Sequence, residues 1–191
     1  MTDLIPLTAL GCTAARHEKI GAFHLTERPN LALASLSLRK GQAVPSPFGL
    51  VLPGPGQAVW SGDHGAFWTG RDQWMIEANG QTDLAALLKA AVPNASITEQ
   101  TDGFAAFELT TEQGADAIDE VMRKLVNLDP HAFEAGSATR TTLDHISVFL
   151  IRRAPDKLSV IGMRTYAAAL WHALAQVARR TDADIDARLS P

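Results

Sequence analysis

At 191 residues, with 46% hydrophobic and 20% charged side chains, the chain holds enough apolar material for a compact core or two small fused units, and its composition excludes wholesale disorder. A formal net charge of −4 removes any electrostatic reason to expect nucleic acid or an anionic membrane as partner. No apolar run approaches the roughly 20 residues of a spanning helix, the first residues lack the pattern of a signal peptide, and the single Cys12 has no partner for an internal disulfide, which together fit a reducing cytoplasm.

Residues 1–25 are broken by Pro6, Gly11 and Gly21 and read as an extended arm. Residues 31–38, with alternating Leu36 and Leu38, read as a strand with one buried face, ended by Lys40-Gly41. Four prolines and three glycines between Pro45 and Gly56 make the next stretch loop, with room for one helical turn around 48–52. Val59-Trp60, Phe67-Trp68 and Trp74-Met75-Ile76 then form three short strands, separated by the turn-forming Gly62 to Gly65 and Gly70 to Asp72. Thr82 or Asp83 caps a helix whose Leu84, Leu87, Leu88 and Ala91 share a face until Pro93 stops it.

Strands at 95–98 and 104–109 follow, joined by Thr101-Asp102-Gly103. Thr110 and Gln113 match a capping box for a helix whose stripe is Ala115, Ile118, Met122 and Leu125, ended by Asp129-Pro130. Residues 139–151 and 158–161 read as a hairpin turning at Ala154-Pro155-Asp156, and the last helix opens at Thr165 and ends near Arg179-Arg180. The strand-turn-strand-helix of 67–91 is echoed by 149–174. The expected class is α+β: two split β-α-β, ferredoxin-like halves with mostly antiparallel sheet and helices packed on it. The expected organisation is an arm over 1–25, a body over 26–180 with halves of about 26–94 and 95–180, and a polar tail over 181–191.

Chemical signatures are few. Gly49 and Gly54 have phosphate-loop spacing, but Pro55-Gly56 stands where lysine and a hydroxyl belong. Dinucleotide and serine-elbow patterns are missing, and the six histidines include no pair at metal-ligand spacing. Asp182, Asp184 and Asp186 begin like a calcium loop, but Ala187 replaces its glycine, and they read as a solvated tail. Asp116, Asp119 and Glu120 lie opposite their helix's apolar stripe and read as solvated charge. No residue stands out as catalytic, cofactor-binding or metal-binding. Trp74 and Trp171 fit buried positions of their elements, whereas Trp60 and Trp68, beside glycine-rich turns, suit either core or a subunit contact. Arg140 and His145 on one strand candidate would point to opposite faces, as a rim and a half-buried residue or as anchors for a ligand or subunit.

Several landmarks in order carry a resemblance: Trp68-Thr69-Gly70-Arg71-Asp72-Gln73-Trp74, Asp102-Gly103-Phe104, Leu128-Asp129-Pro130 with Phe133 and Gly136, Arg140-Thr141-x-Leu143-x-His145, and Ala169-Leu170-Trp171-His172-Ala173-Leu174. Together, over about 31–177, they resemble the γ subunit of the heterotetrameric sarcosine oxidases. The Gly-Arg-Asp-Gln-Trp segment also looks like the Gly-Pro-Asp-x-Trp turn of the folate-binding aminomethyltransferases, with Arg71 where proline is common. The resemblance implies the aminomethyltransferase-like fold and a non-catalytic chain that supports assembly of a sarcosine-demethylating flavoenzyme. It further implies partner α, β and δ subunits, with FAD, FMN, NAD, tetrahydrofolate and zinc held there and none by this chain. A folate-binding aminomethyltransferase-like protein, or a subunit of a related N-methyl amino acid oxidase or dehydrogenase, is the alternative implied.

Overall fold

The computed structural model describes residues 5–80 and 83–189. In chain order it contains β1 His17–Ile20, β2 Phe23–Glu27, β3 Leu31–Ser37, β4 Ala58–Ser61, β5 His64–Gly70, β6 Gln73–Asn79, α1 Leu84–Ala91, β7 Ser96–Glu99, β8 Phe104–Thr111, α2 Ala115–Leu125, β9 Ala138–Leu143, β10 Ile146–Ala154, β11 Lys157–Met163 and α3 Ala167–Leu189. The fold is mixed α+β, and every strand pairing within its two sheets is antiparallel. One sheet has six strands in the order β1-β2-β8-β11-β10-β9, the other five in the order β4-β5-β6-β3-β7.

Alternation along each strand builds three apolar layers. On β3, Ala32, Ala34 and Leu36 face α1, with Leu84 and Leu88, while Leu31 and Leu33 face the other sheet. On β8, Ala105, Phe107 and Leu109 pack against α2 and α3, with Ile118, Met122, Leu170 and Trp171, while Ala106 joins Leu33, Phe67, Met75, Ile151 and Ile161 between the sheets. Helices thus cover the outer faces and the two sheets stack on each other. At one margin the stack is also stitched through backbone, where Ala58 N donates to Gly136 O and Ala138 N to Gly56 O.

The internal echo is real: β3-β4-β5-β6-α1 and β8-β9-β10-β11-α3 have matching sheet orders. The boundary between the halves is not where the sequence suggests. Strand β2 precedes β3 yet pairs with β8, and β7 precedes β8 yet pairs with β3. Strand β7 of the second half completes the first half's sheet, and β2, which straddles the expected boundary after residue 25, joins the second's, so segments 26–94 and 95–180 are not separable sheets.

The expected arm over 1–25 is corrected. Phe23 and Leu25 are fully buried in the larger sheet, and β1 pairs with β2 across a turn at Gly21, whose φ is 53°. A Cβ there would lie 1.8 Å from Asp182 Oδ2, and Asp182 Oδ1 accepts the Ala22 N–H at 2.8 Å, so glycine permits both the turn and the close approach of α3. The segment before β1 is held by Glu27, 2% exposed, whose carboxylate accepts the backbone N–H of Leu10 at 3.1 Å and of Arg16 at 3.2 Å.

The expected polar tail over 181–191 is likewise helix as far as Leu189, with 190–191 outside the described residues: α3 runs beyond Arg179-Arg180, buries Thr181, and meets α2 through Lys124–Asp184 and Arg188–Glu120. Helix α2 ends at Leu125, before Asp129-Pro130. It has no capping box, because Thr110 belongs to β8 and Gly114, at φ 80°, occupies the cap position. Of the two proposed caps for α1, Asp83 is the one seen, accepting from Ala86 N at 3.0 Å; Thr82 lies outside the described residues.

Glu99 supplies a second anchor for α1. It accepts from Ala85 N, Gln100 N, Thr101 N and the Thr101 hydroxyl. Burial acts to raise its carboxyl, but the Thr101 hydroxyl and the three backbone donors outweigh it and hold the group below its ordinary value of 4.5. A depressed folded-state value gives stability that is fully present above the unfolded value and lost as pH falls through the folded one. Glu99→Gln is therefore expected to cost about 1 kcal/mol at neutral pH, discounted for solvent screening. Urea titrations from pH 7 downward should show the gap to wild type closing below pH 4.5. A gap that stays constant to pH 3 would remove the charge from the explanation.

Candidate functional site

The layer between the sheets changes character along its length. Phe149 packs on Phe67 and Phe104, with ring centroids 5.2 and 6.0 Å away. Elsewhere the same inward-facing registers carry polar and charged groups: Glu77 on β6, Glu108 on β8, Arg153 on β10 and Ser159 on β11. Arg153 forms a bidentate pair with Glu77, Nη1 to Oε1 at 2.5 Å and Nη2 to Oε2 at 2.8 Å. Its Nε donates to Ser159 Oγ at 2.5 Å and lies 3.4 Å from Glu108 Oε1. Glu108 is also met by Arg28 Nη1 at 2.5 Å and, more loosely, by Lys157 Nζ at 3.9 Å. Arg28 Nη2 donates to Asn79 Oδ1 at 2.8 Å, and Trp60 Nε1 donates to Glu77 Oε1 at 2.6 Å.

Burial tends to lower the Arg153 value, but the bidentate bonds from Glu77 and the charges of Glu77 and Glu108 raise it, so the guanidinium stays ionised. Gly65, directly across the ladder from Trp60, makes room for the indole: a Cβ there would sit 2.5 Å from the Trp60 ring and 2.8 Å from Glu77. The network floors a cleft of about 360 Å³ whose lining includes Arg28, Asp63, His64 and Lys157. Glu77 gives both oxygens to guanidinium and indole donors, whereas Glu108 gives Oε1 to Arg28, Arg153 and Ser159 and turns Oε2 toward Lys157 at 3.9 Å. Arg28 and Lys157, with side chains 32% and 39% exposed, share the solvent-facing lining of the cleft with the exposed Trp60, Asp63 and Asn79. The arrangement can hold two sheets in register, and its mouth carries charge of both signs, with Asp63 beside Arg28 and Lys157.

A second buried arginine, Arg152, points to the opposite face of β10. It bonds Asp119 Oδ1 at 3.0 Å, the Ala115 carbonyl at 3.3 Å, and the carbonyls of Ala154 and Pro155, tying α2 to the β10–β11 hairpin. Asp119 is therefore a paired group rather than solvated charge.

The four residues expected at a subunit contact do not form one patch. Trp60 belongs to the cleft, 37% exposed, with Arg153 over its ring at 5.3 Å. Trp68 is half-buried against the α1 core, across the ladder from Trp74. Arg140 is exposed on edge strand β9, with Nε donating to Ser147 Oγ at 2.9 Å and its Cζ 5.9 Å from the Phe149 ring centroid. His145 is not on the strand with Arg140. Asp144 and His145, at φ 47° and 68°, form the tight turn between β9 and β10, so the opposite-face expectation falls away. Trp74 and Trp171 are core, 6% and 3% exposed, as their periods indicated. Glu77, Glu108 and Arg153 escaped sequence reading; the available signal was a charge set inside otherwise apolar strands, as in Met75-Ile76-Glu77-Ala78 and Phe107-Glu108-Leu109.

Among the described residues, no helix is long and apolar enough to cross a membrane. No family model and no curated protein sequence matches the chain. Solved structures do match. A chain of the heterotetrameric sarcosine oxidase from Corynebacterium sp. U-96 superposes with a TM-score of 0.68 at 17% identity, over 86% of this chain and 88% of that one. The glycine cleavage system aminomethyltransferase T from Bartonella henselae superposes with a TM-score of 0.56 at 18% identity, over 78% of this chain but 44% of that one. The chain therefore has the α+β fold shared by a chain of a heterotetrameric sarcosine oxidase and by an aminomethyltransferase.

Proposed function

We propose that this chain is a non-catalytic, γ-type subunit of a heterotetrameric, sarcosine-oxidase-like flavoenzyme, supporting assembly in the cytoplasm. The observation that carries the reading is the extent of the likeness: it spans nearly all of this chain and nearly all of one chain of that oxidase, whereas the aminomethyltransferase is more than twice the length matched. The pairing of Glu77 with Arg153 and of Glu108 with Arg28 supports a structural part. On this reading FAD, FMN, NAD, tetrahydrofolate and zinc reside on the α, β and δ partners, and the complex demethylates sarcosine or a related N-methyl amino acid. The aminomethyltransferase likeness favours a second reading, in which the chain itself binds folate.

Co-expression with the genomic neighbours, affinity purification and a visible absorbance spectrum test the proposal. A yellow complex that oxidises sarcosine is the expected result. A colourless chain eluting alone would overturn it, and tetrahydrofolate binding by that chain would favour the second reading. The segment before β1 refines the test. Deleting 1–25 would remove β1 and three of the five residues of β2, so it would abolish folding and report nothing on assembly. Glu27→Ala is the cleaner probe: Leu10 and Arg16 amides should lose hydrogen-exchange protection, and assembly should weaken more than the body's thermal stability. Equal loss of both would detach this segment from assembly.

A further inference from the structure

The sequence spacing of the six histidines hides one pair that the fold brings together. His17 on β1 and His24 on β2 flank the two-residue turn at Gly21, and the register sets His17 opposite Thr26 and Lys19 opposite His24. All four share the face of the sheet turned away from α3, because the alternate residues Ile20, Phe23 and Leu25 enter the core. The two imidazoles are diagonal neighbours, stacked with centroids 5.4 Å apart, and His17 Nε2 lies 3.5 Å from His24 Nδ1. The other nitrogen of His17, Nδ1, is 2.9 Å from Thr26 Oγ1, which fixes that ring's orientation.

We propose that His17 Nε2 and His24 Nδ1 form a two-imidazole site for a divalent transition-metal ion of the copper, nickel or zinc type, its remaining positions filled by water. Two imidazole nitrogens on one tetrahedral ion at about 2.0–2.1 Å lie roughly 3.3 Å apart, so the observed separation needs only a small ring adjustment. Imidazole suits copper, nickel and zinc, while calcium and magnesium demand oxygen ligands. The Thr26 hydroxyl acts as the outer partner that orients a ligating histidine. Lys19, on the same face, places a cation beside the site and sets a limit on affinity. Among the described residues there is no group of three or more such ligands, so water must complete the sphere and the site stays open to solvent. Because both ligands align only when β1 pairs with β2, the ion binds the folded hairpin and holds the edge of the six-stranded sheet.

The test uses the full chain, free of any histidine tag, with Cys12→Ser to remove the exposed thiol. Cu(II) is titrated with electron paramagnetic resonance and Zn(II) by calorimetry, with magnesium chloride as control. One equivalent of Cu(II) coordinated by two nitrogens, no response to magnesium, and a metal-dependent rise in Tm are expected. His17→Gln and His24→Gln should each weaken Zn(II) binding by more than roughly tenfold, and Thr26→Val by about tenfold. Unchanged affinity in both histidine variants would overturn the site. Should a variant fail to fold, the wild-type protein still decides: substoichiometric Cu(II) should broaden the His17 and His24 ring signals first. Broadening first at His131 or His172 would refute the assignment.

Discussion

Glu77→Ala is expected to destabilise the chain by about 3–5 kcal/mol, the loss seen when one partner of a buried ion pair is removed. Glu77 is 4% exposed, and its removal leaves Arg153 with Ser159 and a 3.4 Å approach to Glu108, and Trp60 Nε1 without its acceptor. The pair itself need not be a source of stability, because desolvating two charges offsets much of their attraction. Glu77→Leu combined with Arg153→Met should therefore recover most of the loss. Urea denaturation with a shared m-value measures both. A single-variant loss below about 1 kcal/mol would mean that water reaches the pair and that it behaves as a surface bridge. The double variant also bears on assembly. If the network serves register between the sheets and nothing more, the double variant should still join the complex.

Trp171→Ala should cost about 3–5 kcal/mol by opening a cavity under α3. Its ring meets Phe107 edge-on, with centroids 5.8 Å apart and planes at 74°. Arg16 covers it, with Cζ 4.7 Å from the ring centroid, so the same residue anchors the segment leading into β1. Its Nε1 is buried and has no hydrogen-bond partner among the described residues. Trp171→Phe keeps the aromatic contact and removes that unpaired donor, and should therefore cost far less than the alanine variant. Thermal unfolding of both variants checks the pair of expectations. Wild-type stability in Trp171→Ala would contradict burial of the ring. Losses of equal size in the two variants would assign the indole nitrogen, rather than ring volume, the larger part.

The exchange of β2 and β7 has a folding consequence. Neither half can complete its sheet until the other has formed, so long-range pairing precedes full burial of Leu25 or Leu33. It also explains why the internal echo coexists with a fold that cannot be divided at residue 94 or 95.

Local pattern sufficed for several of the elements. Alternation marked β3, the turn residues marked the β5–β6 hairpin, and the three-or-four spacing of Ile118, Met122 and Leu125 marked α2, because period and turn chemistry are properties of neighbouring residues. Family likeness carried the fold class further than periodicity did. It could not supply the cleft. Glu77, Glu108 and Arg153 lie on three strands far apart in the chain, and their meeting follows from strand order and register, which no local window contains. A local feature separates Arg140 from His145 instead, where two residues with positive φ turn an apparent strand into a hairpin. Strand order and register also account for 17–25, whose short strands are too weakly patterned to stand alone and gain burial only by pairing with β8 and packing under α3. The chain by itself thus determined where the strongly patterned helices and strands form, β3, β5, β6, α1 and α2 among them, since local period and backbone preference decide those. Tertiary structure alone decided which strands pair, which charges are buried, and that His17 and His24 face one another, since those depend on which distant segments the core brings into register.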